Sequence, residues 1–502
     1  MTLSKLLDGI PVIKMFQTMY GKMVVTHDVE IRGIQYDSRK VEREQLFVAI
    51  RGLAVDGHKF IDRAVAKGAK VVVMEDDGAM PDSFFMHAGV VKVVVSDSRK
   101  VLALLSANFY EHPSRKMRLV GVTGTNGKTT ATHLIKSILE AAGEHVGLIG
   151  TIGYTIGTDT LPATHTTPES LELNQLLANM VGKGCTAAVM EVSSHSLVMH
   201  RVYGLDFNVG VFTNLTQDHL DFHGSMDQYL AAKQILFDGM NSSSWAVLNS
   251  DDNYGERIAK RSDAKKLMYG AAPSANVRAT AVELSVNGVM FQVDHAGVSA
   301  TVSSSLTGRF NVSNILAAYA TGVALGVHQR KIVEGIQNLR AVRGRFEQII
   351  SHRGWTAIVD YAHTPDALEN CLRTIHDILP QHEGARIITV FGCGGNRDRG
   401  KRPQMARIAT DLSEITIITS DNPRNEDPQA IIDEILPGIT KGKEVHTEVD
   451  RRKAIRMALE LARSGDVVLV AGKGHEDYQV IGSRKLHFDD REEIEQFLRA
   501  TT

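Results

Sequence analysis

Short apolar runs recur along the chain at 45–50, 70–74, 90–95, 117–122, 145–149, 187–192 and 209–214, and again at 356–360, 386–391, 415–419 and 466–471. Strands without polar alternation are buried on both faces, so these runs predict parallel sheets covered by helices. Between them the spacing becomes helical. Leu134, Ile135, Ile138 and Leu139 share one face of a helix predicted over 131–142, and further helices are predicted from Gly57 to near Gly68, over 101–110 and over 226–237. Residues 315–325 are apolar on nearly every face, which predicts a buried helix. From 252 to 302 the segments are short and alternating, as in Gly288-Val289-Met290-Phe291-Gln292-Val293, and predict β-hairpins at a sheet edge. The expected fold class is α/β. His112-Pro113-Ser114 breaks the run 101–110, and the strand-and-helix pattern restarts after the basic, glycine-containing link at 340–345. These breaks predict three domains, 1–112, 113–341 and 342–502, which suits 502 residues at roughly 150 per domain.

Composition narrows the class of function. Hydrophobic residues make up 43% and charged residues 23%, and the net charge is −2, so no basic or acidic surface points to nucleic acid or membrane. Cys185, Cys371 and Cys393 are scattered and lack CxxC spacing, which argues against a disulfide framework or structural zinc. No window reaches the ~18 apolar residues of a membrane span, and residues 1–14 do not read as a leader. A cytoplasmic protein is expected.

The chemistry centres on Gly121-Val122-Thr123-Gly124-Thr125-Asn126-Gly127-Lys128-Thr129-Thr130, between a predicted strand and a predicted helix. Such a loop turns backbone N–H groups and a helix N-terminus toward phosphate oxygens. Val122 stands where the general P-loop pattern has its first glycine, so this is a variant loop with Gly124 displaced. Lys128 is expected to reach the outer phosphates and Thr129 to hold magnesium. Glu191 ends a buried strand ahead of Ser193-Ser194-His195 and reads as a second magnesium anchor, with a capped turn as the bland alternative. Asp218-His219-Leu220-Asp221-Phe222-His223 carries two histidines and two carboxylates, but no thiol that would favour zinc. Asp37-Ser38-Arg39 suits a polar or phosphorylated ligand and is, by itself, more often a turn with a local salt bridge. Nothing physical in the sequence distinguishes Lys233. In the last domain each strand ends in polar residues: Asp360-Tyr361-Ala362-His363, Gly394-Gly395-Asn396-Arg397, Asp421-Asn422-Pro423-Arg424 and Gly472-Lys473-Gly474-His475-Glu476. Ends converging on one sheet edge predict a binding crevice. These residues alone reach an ATP- and magnesium-using enzyme with an acidic or zwitterionic second substrate.

Gly124-Thr125-Asn126-Gly127-Lys128-Thr129-Thr130, Glu191-Val192-Ser193-Ser194-His195, Asn214 to Asp221, Asp360-Tyr361-Ala362-His363-Thr364-Pro365 and Gly472-Lys473-Gly474-His475-Glu476 together resemble, in order, the motifs of the Mur ligases of peptidoglycan synthesis. Asp421-Asn422-Pro423-Arg424 is similar to the form in members that add meso-2,6-diaminopimelate to UDP-N-acetylmuramoyl-L-alanyl-D-glutamate. The resemblance implies a central P-loop ATPase domain between a small α/β domain and a Rossmann-like amino-acid-binding domain. It implies ATP-driven amide formation through an acyl phosphate, by a cytoplasmic monomer whose third domain closes near Ala341. ATP contacts fall on Gly124, Thr125, Asn126, Gly127, Lys128, Thr129, Thr130, Asn311, Arg345, Asp360 and His363, and magnesium contacts on Thr129, Glu191, His219 and Lys233. Lys128, Lys233 and His219 are the expected catalytic groups, with Lys233 carbamoylated. Tyr36, Ser38, Thr166, Thr167, Ser193 and Arg201 are expected to hold the UDP-muramoyl peptide. Arg397, Asp421, Asn422, Pro423, Arg424, Gly472 and Glu476 are expected to hold diaminopimelate, whose extra carboxylate suits bidentate arginine. His165 and Met199 depart from the Asn and Gln common in the family. The rival readings are the lysine-adding and D-alanyl-D-alanine-adding ligases, folylpolyglutamate synthetase, and a nucleotide-binding module without ligase activity.

Overall fold

The computed structural model describes every residue except 17, 20, 21, 24–27, 53, 54, 286, 380–383, 501 and 502. The chain gathers into two compact units, one formed by residues 1–121 and 145–208, the other by 122–144 and 209–502.

In the first unit a five-stranded sheet runs in the order Lys14–Phe16, Val91–Val94, Val71–Met74, Gln45–Val48, Gly33–Gln35. All pairings are parallel except that of Lys14–Phe16. The runs Val71–Met74 and Val91–Val94 are buried along their whole length, as their lack of alternation predicts. Helix Ser98–Phe109 starts where Asp97 accepts hydrogen bonds from the Arg99 and Lys100 amides. Strands Val146–Ile149 and Ala187–Glu191 pair in parallel in the same unit. Beyond them an antiparallel hairpin, Tyr154–Ile156 with Asp159–Leu161, forms an edge that the sequence pattern does not announce. Its polar strand Asp159–Leu161 is fully exposed and carries no core signature.

In the second unit Val209–Phe212, Trp245–Asn249 and Lys265–Gly270 pair in parallel. The chain then turns into the antiparallel meander Val277–Ser285, Gly288–His295, Val298–Ser304, the edge hairpins expected between 252 and 302. Lys265–Gly270 escapes prediction because it opens on two exposed lysines and buries only its far end. Helix Lys128–Ala141 begins three residues before the predicted start, which brings Lys128, Thr129 and Thr130 into its first turn. Helix Arg309–Ala324 likewise begins earlier than the apolar run at 315. Its first turns carry the buried amides Asn311 and Asn314.

The same unit contains a six-stranded sheet in the order Glu347–Ile350, Thr356–Asp360, Val467–Ala471, Ile387–Phe391, Ile415–Thr419, Glu444–Glu448. Its five later strands are parallel, and only Glu347–Ile350 runs antiparallel. The four apolar runs read from the sequence form its centre. The two edge strands are half-buried and polar, so they lack the continuous apolar signature. Apolar cores cover both faces, one around Leu372 and Ile432, the other around Trp355 and Leu459. All three cysteines are buried and free. Among the described residues no helix is long and apolar enough to cross a membrane.

Candidate functional site

The phosphate loop is held from below by the segment after strand Val209–Phe212. The Thr125 amide donates to the Asn214 carbonyl, the Asn126 amide to Asn214 Oδ1, and the Thr213 hydroxyl to the Asn126 carbonyl at 2.6 Å. Gly127 has φ +84°, and a Cβ there would lie 2.2 Å from Asn314 Oδ1, so both its conformation and its space exclude a side chain. Lys128 Nζ turns back onto the carbonyls of Gly124 (2.9 Å) and Thr125 (2.8 Å).

Lys233 has the environment that the sequence alone did not reveal. It lies on helix Met226–Asp238, is buried, donates to the Gly124 carbonyl at 2.9 Å and sits 4.5 Å over the Tyr229 ring. Burial, and after it the Lys128 ammonium, pushes its pKa well below that of an ordinary lysine, against the pull of Asp218.

Residues from the C-terminal sheet complete this region within the second unit. Arg345 donates to the Thr129 hydroxyl at 3.0 Å and stacks its guanidinium 4.5 Å from the Tyr361 ring. Asp360, at the end of strand Thr356–Asp360, accepts from the Phe346 amide at 2.6 Å. Burial raises its pKa, against the pull of Arg345. Asn311 donates to the Thr307 carbonyl and accepts from Asn314. His363 is linked through Nδ1 to the Tyr361 carbonyl, and burial pushes its pKa down to about 4. Asp366, in the first turn of helix Pro365–Ile378, accepts from Asn126 Nδ2 at 2.7 Å and Thr216 Oγ1 at 3.3 Å. No spacing rule links 366 to 126, and sequence reading missed it.

The strand ends do converge. A cavity of about 170 Å³ is lined by Asp218, His219, Tyr361, His363, Arg397, Lys401, Asp421, Asn422, Arg424, Gly472 and Glu476, among others. Arg424 has a left-handed backbone, φ +51°, fixed by its amide donating to the Val480 carbonyl and by the Gly482 amide donating to its own carbonyl. Its guanidinium donates to the Gly395 carbonyl at 2.9 Å. Arg397 donates to the Asn396 carbonyl. Glu476 accepts from Asn422 Nδ2 (2.8 Å) and from the fully buried Lys473 (3.2 Å). Burial, followed by the nearby Asp421, raises its pKa. Lys473, passed over in the sequence, is the counter-charge of this acidic group. His219, at φ +53°, lies 3.3 Å from Asp218. Burial opposes ionisation of Asp218, but His219, His363 and Lys401 hold its pKa below the usual value.

A second polar cluster occupies the first unit. Tyr36 donates to Glu172 at 2.9 Å. Thr167 donates to the Glu191 carbonyl and accepts from the Ser193 amide, while Arg201 donates to the Thr167 carbonyl and lies 3.5 Å from Glu169. Thr166 and Thr151 share a hydroxyl contact at 3.2 Å, and Ser193 caps the short helix Ser194–Val198. Ser38 is buried. Arg39 and Asp37 form the exposed local salt bridge that the bland reading anticipates. Glu191 is buried, and its carboxylate accepts from the Thr151 amide and hydroxyl. The Tyr154 hydroxyl accepts from the His165 amide and donates to its carbonyl, and Met199 Sδ accepts from Arg201. Among the described residues no group of three or more His, Cys, Asp or Glu is arranged to hold a metal by side chains alone.

Family models match three stretches: "Mur ligase family, catalytic domain" at 30–110, "Mur ligase middle domain" at 122–322 and "Mur ligase, glutamate ligase domain" at 344–474. The chain is 46% identical over 473 residues to the UDP-N-acetylmuramoyl-L-alanyl-D-glutamate--2,6-diaminopimelate ligase of Clostridium tetani, covering 94% of this chain and 95% of that protein. A solved structure of a protein with the same name superposes with TM-score 0.66 at 34% identity, over 94% of this chain and 95% of that one. The MurF ligase from Thermotoga maritima in complex with ADP, 18% identical, shares the fold with TM-score 0.63 over 95% of this chain and all of that one.

Proposed function

We propose, for a chain that belongs to the Mur ligase family, that it joins meso-2,6-diaminopimelate to the D-glutamate of UDP-N-acetylmuramoyl-L-alanyl-D-glutamate at the expense of ATP, in the cytoplasm. We take its domains as 1–112 for the UDP-muramoyl peptide, 113–341 for ATP and 342–502 for the amino acid. The observation that carries the choice of amino acid is Arg424, held in a left-handed turn near Arg397, with Glu476 lining the same cavity. A zwitterion with a second carboxylate meets two guanidiniums for its anions and a carboxylate for its ammonium.

The reaction follows from the groups at hand. The D-glutamyl carboxylate attacks the γ-phosphorus of ATP, ADP leaves, and an acyl phosphate remains. The free amine of diaminopimelate attacks the acyl carbon, loses a proton and expels phosphate. Loop amides and Lys128 bind the phosphates, with Lys128 leaving its two carbonyl partners to do so. Arg345, Asp360, Asn311 and His363 orient the nucleotide.

Magnesium suits the residues. The buried Glu191 carboxylate has a neutral amide and hydroxyl as its partners, and no ion pair to it is found among the described residues. In the first unit Glu191 would hold magnesium. In the second, Thr129 would hold magnesium, and His219 with a carbamoylated Lys233 would hold a second ion. The ions supply charge neutralisation at the phosphates. The depressed pKa of Lys233 supports the modification, because only the neutral amine adds to carbon dioxide, giving a carbamate and a proton.

The test is phosphate release from ATP with UDP-N-acetylmuramoyl-L-alanyl-D-glutamate, comparing meso-diaminopimelate and L-lysine. Turnover with diaminopimelate alone is expected, and equal turnover with lysine would refute the assignment. For Lys233, carbon-13 bicarbonate should give a carbamate resonance that disappears in Lys233→Arg. An unchanged spectrum would remove the carbamate.

A further inference from the structure

The two arginines of the crevice stand on loops that the chain brings together from different strands, and one buried side chain fastens those loops. Arg402, on helix Lys401–Leu412, is completely buried. Its Nη2 donates to both carboxylate oxygens of Glu426, at 3.1 and 3.0 Å, and to the Gly394 carbonyl at 3.3 Å, while Nη1 donates to Glu434 at 2.6 Å. Glu426 in turn accepts from the Asn396 amide, and its own amide donates to the Pro423 carbonyl at 3.0 Å. The fork thus touches the loop before Arg397 directly and the loop of Arg424 through Glu426. The loops also meet each other. The Gly395 amide donates to the Asn422 carbonyl at 2.9 Å, the Asn425 amide to Asn396 Oδ1, and Arg424 to the Gly395 carbonyl. They approach so closely that a Cβ on Gly395 would lie 1.9 Å from the Pro423 carbonyl oxygen.

We infer that Arg402, acting through Glu426, is a positioning residue that sets the spacing of the Arg397 and Arg424 guanidiniums and thereby the preference for an amino acid with a distal carboxylate. Arg402 does not line the cavity. A guanidinium fits the role because Nη2 serves Glu426 and the Gly394 carbonyl while Nη1, held apart from it in the same plane, reaches a second carboxylate, a span that the single ammonium of a lysine does not reproduce. Removing it would leave Glu426 without its cation beside a buried void, although Glu434 keeps Arg399, so its loss risks the local fold. Glu426 is partly exposed, and Glu426→Gln keeps the volume while removing the acceptor's charge and leaving Arg402 one neutral amide oxygen in place of two carboxylate oxygens.

The inference rests on the diaminopimelate reading. The experiment therefore measures steady-state turnover of wild type, Glu426→Gln and Arg402→Lys with meso-diaminopimelate and with L-lysine, together with amide hydrogen exchange over 394–397 and 422–426. Both variants should raise KM for diaminopimelate about ten-fold, with kcat and the KM for ATP within two-fold. They should lower the diaminopimelate-to-lysine ratio of kcat/KM by a similar factor, and exchange should quicken at the Gly395 and Asn396 amides. A merely structural role would depress both amino acids together and leave the ratio fixed, which overturns the proposal, as does an unchanged KM in a folded Glu426→Gln. Should wild type fail to use diaminopimelate, the functional reading falls while exchange still judges the clamp: unaltered protection at Gly395 and Asn396 rejects it.

Discussion

Around the phosphate loop the lysines donate to backbone carbonyls, Lys128 to those of Gly124 and Thr125 and Lys233 to that of Gly124. Behind the crevice beyond the C-terminal sheet two buried cations are matched by carboxylates, Arg402 by Glu426 and Glu434 and Lys473 by Glu476, while the lining arginines Arg397 and Arg424 donate to carbonyls. A hydrogen bond from an ammonium to a carbonyl is worth a net ~1.5–3 kcal/mol, which the multiply charged contacts of an arriving triphosphate exceed. Breaking a buried ion pair by removing one partner costs roughly 3–5 kcal/mol, so these pairs are the firmer ties of the two. A lysine on a carbonyl turns to phosphate at a modest cost, whereas the loops that carry Arg397 and Arg424 are tied from behind by an ion pair.

The strongest way to break this contrast is Lys128→Ala. If the lysine moves to the phosphates in the reacting complex, phosphate release at saturating substrates should fall by about 10²–10³-fold. A loss below ten-fold would mean that it stays on its carbonyls. Next, Arg424→Ala should lower kcat/KM for meso-diaminopimelate by about 10²-fold, the ~2–3 kcal/mol of a charge-assisted contact, and leave L-lysine unchanged. A parallel loss with both amino acids would mean that the crevice does not read the distal carboxylate.

A smaller effect is expected at Asp366, a carboxylate that touches the loop through Asn126. Asp366→Asn keeps a hydrogen-bond acceptor but removes a negative charge, so ATP should bind about five-fold tighter by calorimetry while AMP is unaffected. Weaker ATP binding would instead make Asp366 a support of the loaded state.

The smallest effect concerns pH. His363 has its pKa pushed down to about 4 by burial, below the ~6.5 of an unfolded histidine. The unfolded chain therefore takes the proton first, and the stability held by neutral His363 is complete above about pH 6.5. It is lost as pH falls toward 4. The urea midpoint should drop across that window more steeply in wild type than in His363→Gln, and equal slopes would deny the burial of this ring.

Legibility in the sequence followed locality. The strands 71–74, 91–94, 387–391 and 467–471 were readable because continuous apolar runs are needed wherever both faces of a sheet are covered. The strands Glu347–Ile350 and Glu444–Glu448 were not, since a half-exposed edge tolerates polar residues. The phosphate loop was readable from ten consecutive residues, and the four strand ends of the crevice from their shared position on one sheet edge.

By itself, then, the sequence determined an α/β chain with a phosphate loop and a polar crevice, because glycine spacing and apolar periodicity are dictated by backbone sterics and burial within a few residues of each position. Only the tertiary structure decided which neighbours those groups have. Helix Met226–Asp238 buries Lys233 beside Gly124, helix Pro365–Ile378 sends Asp366 to Asn126, and Arg402 fastens the loops of Arg397 and Arg424. Each joins residues distant along the chain, and no local pattern encodes a hydrogen bond or a desolvation that exists only once the chain has folded.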